Sequence, residues 1–130
     1  MPIVRVEIYK GFDTTYKQKI LDGVHKALVD SFKILDSDRN QLIYEFDDAH
    51  FERSAGKSRS FIIIGVTAFK GRSREAKRML YQKVIENLKV SPGIQPNDIM
   101  IIINEPEMVN WGIRGGRCAD ETDLGFNVNV

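Results

Sequence analysis

The chain has 130 residues, of which 42% are hydrophobic and 28% charged, and 19 basic residues nearly cancel 18 acidic ones to leave a formal net charge of +1. That length makes a single domain able to bury a core without disulfides or metals, and the near-neutral balance gives no bulk attraction to nucleic acid or to an anionic membrane. The lone Cys118 excludes an internal disulfide and fits a reducing compartment. The opening Met-Pro-Ile-Val-Arg-Val does not follow a signal-peptide pattern, and the longest apolar run, Phe61 to Val66, is far short of a membrane span. The expected setting is therefore the cytoplasm.

Pro2 to Tyr9 alternates, with Val4, Val6 and Ile8 on one face and Ile3, Arg5, Glu7 and Tyr9 on the other, which predicts a strand. Lys10-Gly11 ends it. Thr14 or Thr15 caps a predicted helix to about Phe32, with Ile20, Leu21, Val24, Ala27 and Leu28 as its apolar stripe. Asp36-Ser37-Asp38 forms a turn before a short strand, Gln41 to Phe46. Asp47 to Ser58 is polar and reads as a connecting loop. Ser60 to Phe69 is continuously apolar, as in a strand buried on both faces. Gly71 breaks it, and Ser73 with Glu75 and Ala76 opens a second helix with Met79, Leu80, Val84, Ile85 and Leu88 inward. Ser91-Pro92-Gly93 stops that helix, and Asp98 to Asn104 is the next apolar strand. The tail from Val109 is glycine-rich and ends in the alternating stretch Phe126 to Val130, an expected edge strand.

Sliding the chain against itself by sixty residues places Lys10 on Lys70, Gly11 on Gly71, Lys17 on Lys77, Asp38 on Asp98 and Glu45 on Glu105, among other matches. The predicted elements repeat along with them. The expected fold is therefore α+β: two β-α-β units, about 2–46 and 62–106, followed by a C-terminal tail. Together the units make a four-stranded mixed sheet with both helices on one face. The other face is left bare, which predicts a symmetric oligomer.

Pro2 is the sharpest chemical candidate. Removal of Met1 would free it as a secondary amine, and a free α-amino group titrates near 7.7–8.0, where it can act as base or acid. On the Met-Pro pair alone, the commoner reading is the start of an edge strand, where proline is tolerated. Lys70-Gly71-Arg72-Ser73-Arg74 lies where a strand hands over to a helix N-terminus, and its cations and free N–H groups suit a carboxylate. A solvated basic turn is the alternative. Asp38 stands in a turn, where aspartate is common. His25 lies beside an apolar stripe, a common structural place, and has no metal-ligand spacing with His50. Trp111 is either a pocket wall or core packing. Neither a phosphate-binding glycine loop nor a serine-nucleophile motif occurs.

The Met-Pro start, the duplicated β-α-β, Gly-Arg-Ser-Arg-Glu-Ala-Lys at 71–77 and Asn-Trp-Gly-Ile-Arg-Gly at 110–115 together resemble the tautomerase superfamily over nearly the whole chain. The branch it most resembles is the long-chain one that includes malonate semialdehyde decarboxylase. The resemblance implies a trimer with no metal and no cofactor, acting on a small carboxylate-bearing substrate. It implies Pro2 and Arg72 as catalytic and substrate-holding groups. Asp38, in Asp38-Arg39-Asn40-Gln41, falls on the branch's functional aspartate, and Arg74 also matches the basic motif. Where the decarboxylase has a second arginine, this chain has Lys70, which keeps the charge but loses the bidentate fork. His25 falls where a related cis-3-chloroacrylic acid dehalogenase has a functional histidine, and Trp111 falls in a segment that lines the site. The expected activity is enol–keto interconversion of a small 2-oxo or related carbonyl acid. The alternatives are a lyase (a decarboxylase or a haloacrylate hydratase) and an inactive trimeric interaction protein.

Overall fold

The computed structural model describes residues 2–130. The expected removal of Met1 concerns a residue outside them. Two helices cover one face of a mixed four-stranded sheet. The strands are β1 (Ile3–Tyr9), β2 (Asn40–Phe46), β3 (Ile62–Thr67) and β4 (Ile99–Asn104), in the order β2-β1-β3-β4, and the helices are α1 (Thr14–Phe32) and α2 (Arg74–Val90). β1 and β2 run parallel with α1 as their crossover, and β3 and β4 run parallel with α2 between them. β1 and β3 meet antiparallel at the centre, with Ile3 opposite Thr67.

The core is the layer between sheet and helices. Val4, Val6 and Ile8 from β1 and Ile62, Ile64 and Val66 from β3 meet Ile20, Val24 and Leu28 of α1 and Leu80, Val84 and Leu88 of α2. Spacing of two on the strands and of three to four on the helices brings these side chains to one layer. The α2 stripe is narrower than expected. Ala76, Leu80, Val84 and Leu88 are buried, whereas Met79 is 42% exposed, because α2 meets α1 and the sheet through one residue in four.

The sixty-residue repeat has a structural content. Gly11 and Gly71 both adopt positive φ, 113° and 129°, at the turn that leads from strand to helix. The caps also correspond. Asp13 accepts from the Tyr16 backbone N–H at 2.8 Å, and Ser73 accepts from that of Ala76 at 3.1 Å. The first cap is thus Asp13, not Thr14 or Thr15. Asp13 has the extended backbone an N-cap needs, while Thr14 is already helical. The repeated Lys and Glu pair up in both units: Lys17 with Glu45 at 2.9 Å, and Lys77 with Glu105 at 2.6 Å. Each pair ties the first turn of a helix to the end of the strand that follows it.

The last five residues form no edge strand. Instead, a short hairpin, β5 (Gly112–Ile113) with β6 (Arg117–Cys118), precedes a tail that folds over the turn after β3. The Ser73 N–H donates to the Val130 carbonyl at 2.8 Å. A Cβ on Gly71 would lie 2.9 Å from the Val128 carbonyl oxygen, so the tail approaches this turn as closely as glycine permits. Phe126 and Val128 join Phe69, Trp111, Ile113 and Ala119 in a second apolar cluster that also takes in Ile3. Alternation here serves packing rather than strand pairing.

The sheet face away from the helices is mostly open. Leu42, Tyr44, Met100 and Ile102 are 42–47% exposed. β3, expected to be buried on both faces, buries only Ile62, Ile64 and Val66 within one chain. No helix among the described residues is long and apolar enough to cross a membrane.

Candidate active site

Pro2 is buried immediately before β1. The register places the start of β2 and the end of β3 on either side of that point, since Ile3 faces both Asn40 and Thr67. Asp38 precedes β2 by two residues, and Phe69 to Arg72 follow β3. The topology therefore gathers Pro2, Asp38 and the basic turn at one end of the sheet.

Arg72 is the distinctive side chain of that end. It is only 5% exposed, and its guanidinium lies 5.0 Å over the Phe32 ring. Nη1 donates to the Phe69 carbonyl at 3.0 Å. Nε and Nη2 are buried and have no hydrogen-bond acceptor among the described residues. Burial lowers the pKa of this guanidinium, while the carboxylates of Glu105 and Asp38 oppose that shift. Orphaned N–H groups in the interior are costly. Nε and Nη2 form one edge of the planar guanidinium, the fork that takes a carboxylate through two parallel bonds.

The other cations of the turn are placed differently. The Lys70 ammonium is about half exposed and hydrogen-bonded to the Glu107 carboxylate. Arg74, the first residue of α2, is exposed. Gly71 turns the backbone so that Arg72 enters the interior and Lys70 stays at the rim.

Asp38 is half-buried, with Asn40 Nδ2 at 3.4 Å from its Oδ1. Its loop is anchored on both sides. The Asp22 carboxylate accepts from Arg39 at 2.9 Å, and the Leu21 carbonyl accepts from Gln41 at 3.0 Å. The bonds from Arg39 and Gln18 hold the Asp22 carboxyl below its ordinary pKa. His25 belongs to the same bracing. It is buried, and its Nε2 lies 2.9 Å from the Asp36 carbonyl oxygen, where a protonated Nε2 donates. Trp111 is buried against Phe69 with ring centroids 4.6 Å apart, and its indole N–H donates to the Pro106 carbonyl at 3.3 Å. Its cluster takes in Ile3, the residue that follows Pro2. Beside it, a depression of about 560 Å³ lined by Ile3, Arg39, Asn40, Gln41 and Leu42 opens on the bare face.

Sequence reasoning did not single out Phe32, Phe69, Glu105 or Glu107. Only Glu105 carried a signal, its match with Glu45 in the repeat. The repeat does not duplicate these side chains at the other end. Sixty residues from Pro2 stands Ile62, fully buried, and sixty before Arg72 stands Phe12, stacked on Tyr16 at 4.1 Å. Asp98, the counterpart of Asp38, is buried and accepts from the Ser58 N–H at 2.8 Å. The second end is filled by packing. Among the described residues no group of three or more His, Cys, Asp or Glu side chains is gathered as a metal cage.

A family model described as "Tautomerase enzyme" matches residues 38–114, more than half of the chain, and a second of the same description matches residues 2–57. The chain belongs to the tautomerase family. A curated relative of this tautomerase, "Probable tautomerase YrdN" of Bacillus subtilis (strain 168), is 28% identical over 116 residues, covering 85% of this chain and 89% of the relative. Among solved structures, a malonate semialdehyde decarboxylase inhibited by 3-bromopropiolate is 27% identical with a TM-score of 0.79, covering 89% of this tautomerase and 92% of that chain. A fused 4-OT solved as a symmetric trimer has a TM-score of 0.79 at 20% identity, covering 91% and 96%.

Proposed function

We propose that this tautomerase interconverts the enol and keto forms of a small 2-oxo acid or related carbonyl acid, without a cofactor, using Pro2 freed by removal of Met1. The observation that carries the reading is the buried fork of Arg72, two orphaned donors at the end of the sheet where Pro2 lies. The substrate carboxylate would sit on that fork. Neutral Pro2 takes the enol hydroxyl proton, giving an ammonium and an enolate, and then returns that proton to the substrate carbon as the C=C electrons form the new C–H bond, so the amine ends as it began. The guanidinium stabilises the enolate charge that develops between the two transfers. Burial favours the neutral amine, and the Asp38 carboxylate opposes this by favouring the charged form. Asp38 orients the amine, while Trp111 and Phe69 exclude water. In this reading Lys70 helps to attract the carboxylate, Arg74 supplies positive charge at the approach, and His25 steadies the loop that carries Asp38.

The likeness to a solved malonate semialdehyde decarboxylase favours a second reading, a lyase in which protonated Pro2 acts as acid and Asp38 activates water. The engagement of Lys70 by Glu107 weighs against it, because the second cation is then neutralised. We further propose that the open sheet face with Leu42, Tyr44, Met100 and Ile102 is covered in a homotrimer in the cytoplasm, in keeping with the trimeric fused 4-OT.

A panel of an enol 2-oxo acid, a 3-oxo acid and a haloacrylate tests the reaction. Ketonisation of the enol, followed by loss of its ultraviolet absorbance, is expected to be the fastest reaction. Fastest turnover of the 3-oxo acid with release of CO2, or of the haloacrylate with release of halide, would select the lyase.

A further inference from the structure

Lys70 and Arg72 flank Gly71 and so stand at the same turn, yet their charges are handled in opposite ways. Arg72 is buried with two donors unused, whereas Lys70 is bonded to Glu107 at the rim. The Glu107 side chain is exposed, but its backbone is held in place. Its segment follows β4 and is tied to the site wall. The Glu107 carbonyl accepts from the Asn110 N–H at 2.8 Å, the Pro106 carbonyl accepts from the Trp111 indole at 3.3 Å, and Trp111 packs on Phe69. On the other side, Ala68 N–H donates to the Asn104 carbonyl at 2.9 Å, so strand ends and turn are held together. The neighbouring acid, Glu105, is already paired with Lys77. An ion pair as exposed as Lys70–Glu107 contributes little to folding. Its consequence is local: it cancels one of the two cations nearest the substrate-holding turn and leaves a carboxylate at the rim.

We infer that Glu107 is a specificity-determining residue that masks Lys70, leaving the unengaged donors of Arg72 to hold the ligand and selecting monocarboxylates against dicarboxylates. The inference rests on the reading of Arg72 as the carboxylate holder. A ligand with one carboxylate fills the Arg72 fork and presents an uncharged end to the rim. A second carboxylate meets Glu107, where like charges repel, and must displace it to reach Lys70. Removing the Glu107 charge should therefore convert a one-cation site into a two-cation site.

The test is binding of propionate and of malonate, neither requiring turnover, to the full chain by NMR titration at fixed low ionic strength. In wild type, propionate is expected to bind at least as tightly as malonate. Glu107→Gln keeps the size of the side chain and removes its charge. It is expected to tighten malonate by about tenfold or more while propionate stays within about twofold. The double variant Lys70→Gln/Glu107→Gln is expected to return malonate to its wild-type affinity. An equal change for both ligands in Glu107→Gln, or no change for either, would overturn the inference. Arg72→Gln tests the underlying reading separately. Propionate binding is expected to be lost, and unchanged binding there would remove Arg72 as holder whatever Glu107 does.

Discussion

Replacing Pro2 with alanine is expected to lower kcat by roughly 10²–10⁴, the range associated with a positioned proton-transfer group, while KM changes little. The split follows from where the two groups stand. Pro2 lies outside the first β1 pairing; in the proposed mechanism it carries the proton and Arg72 the carboxylate, and the substitution leaves Arg72 and its fork in place. The variant amine is primary and acyclic, so both its basicity and its direction in the pocket differ from those of proline. Steady-state kinetics on an enol substrate, with circular dichroism to show an intact fold, measures the effect. An unchanged kcat would remove Pro2 from the mechanism.

The second large effect is expected at Arg72, and it is double-edged. Arg72→Met should reduce kcat/KM by roughly 10²-fold or more, since two charge-assisted bonds to the substrate carboxylate are lost at about 1.5–3 kcal/mol each. The same substitution should leave thermal stability unchanged or raise it. Methionine fills a similar volume against Phe32 without the desolvation cost of a buried guanidinium, and replacing buried charge by apolar packing often gains about 1–4 kcal/mol. The lost bond from Nη1 to the Phe69 carbonyl offsets part of that gain. Thermal denaturation beside kinetics separates the two cases. A structural arginine would show a lower Tm with activity retained in the folded fraction. An arginine kept for its ligand shows the reverse.

The strands and helices were legible because their faces differ sharply in polarity. Val4, Val6 and Ile8 could face only a core, and the repeat doubled the evidence for each element. What escaped was set by competition between similar local choices. Asp13, Thr14 and Thr15 all suit an N-cap, and only the backbone shows that Asp13 keeps the extended conformation. Phe126, Val128 and Val130 alternate with asparagine-rich positions as a strand does, yet the same spacing lets the tail lie across Gly71 and Phe69. The candidate site was legible as residue types at a strand-to-helix turn. The difference between its two leading cations was not, because it depends on Glu107, 37 residues away from Lys70, and on the burial of Arg72 but not of Lys70 on either side of a glycine with φ of 129°. His25 likewise belongs with a loop carbonyl eleven residues on, a pairing that helical spacing alone does not reveal.

The central claim is that Pro2 works as a base, and titration of its nitrogen in ¹⁵N-labelled protein tests it most directly. On the proposed mechanism, burial of Pro2 and the positive charge of the basic turn at the same end of the sheet outweigh the Asp38 carboxylate and hold the freed amine below the usual α-amino range, so the nitrogen should be largely neutral at pH 7 and gain its proton only as the solution is acidified. A nitrogen that stays protonated well above neutral pH would contradict the account and make Pro2 an acid. A nitrogen that does not titrate at all would mean that the proline is never freed.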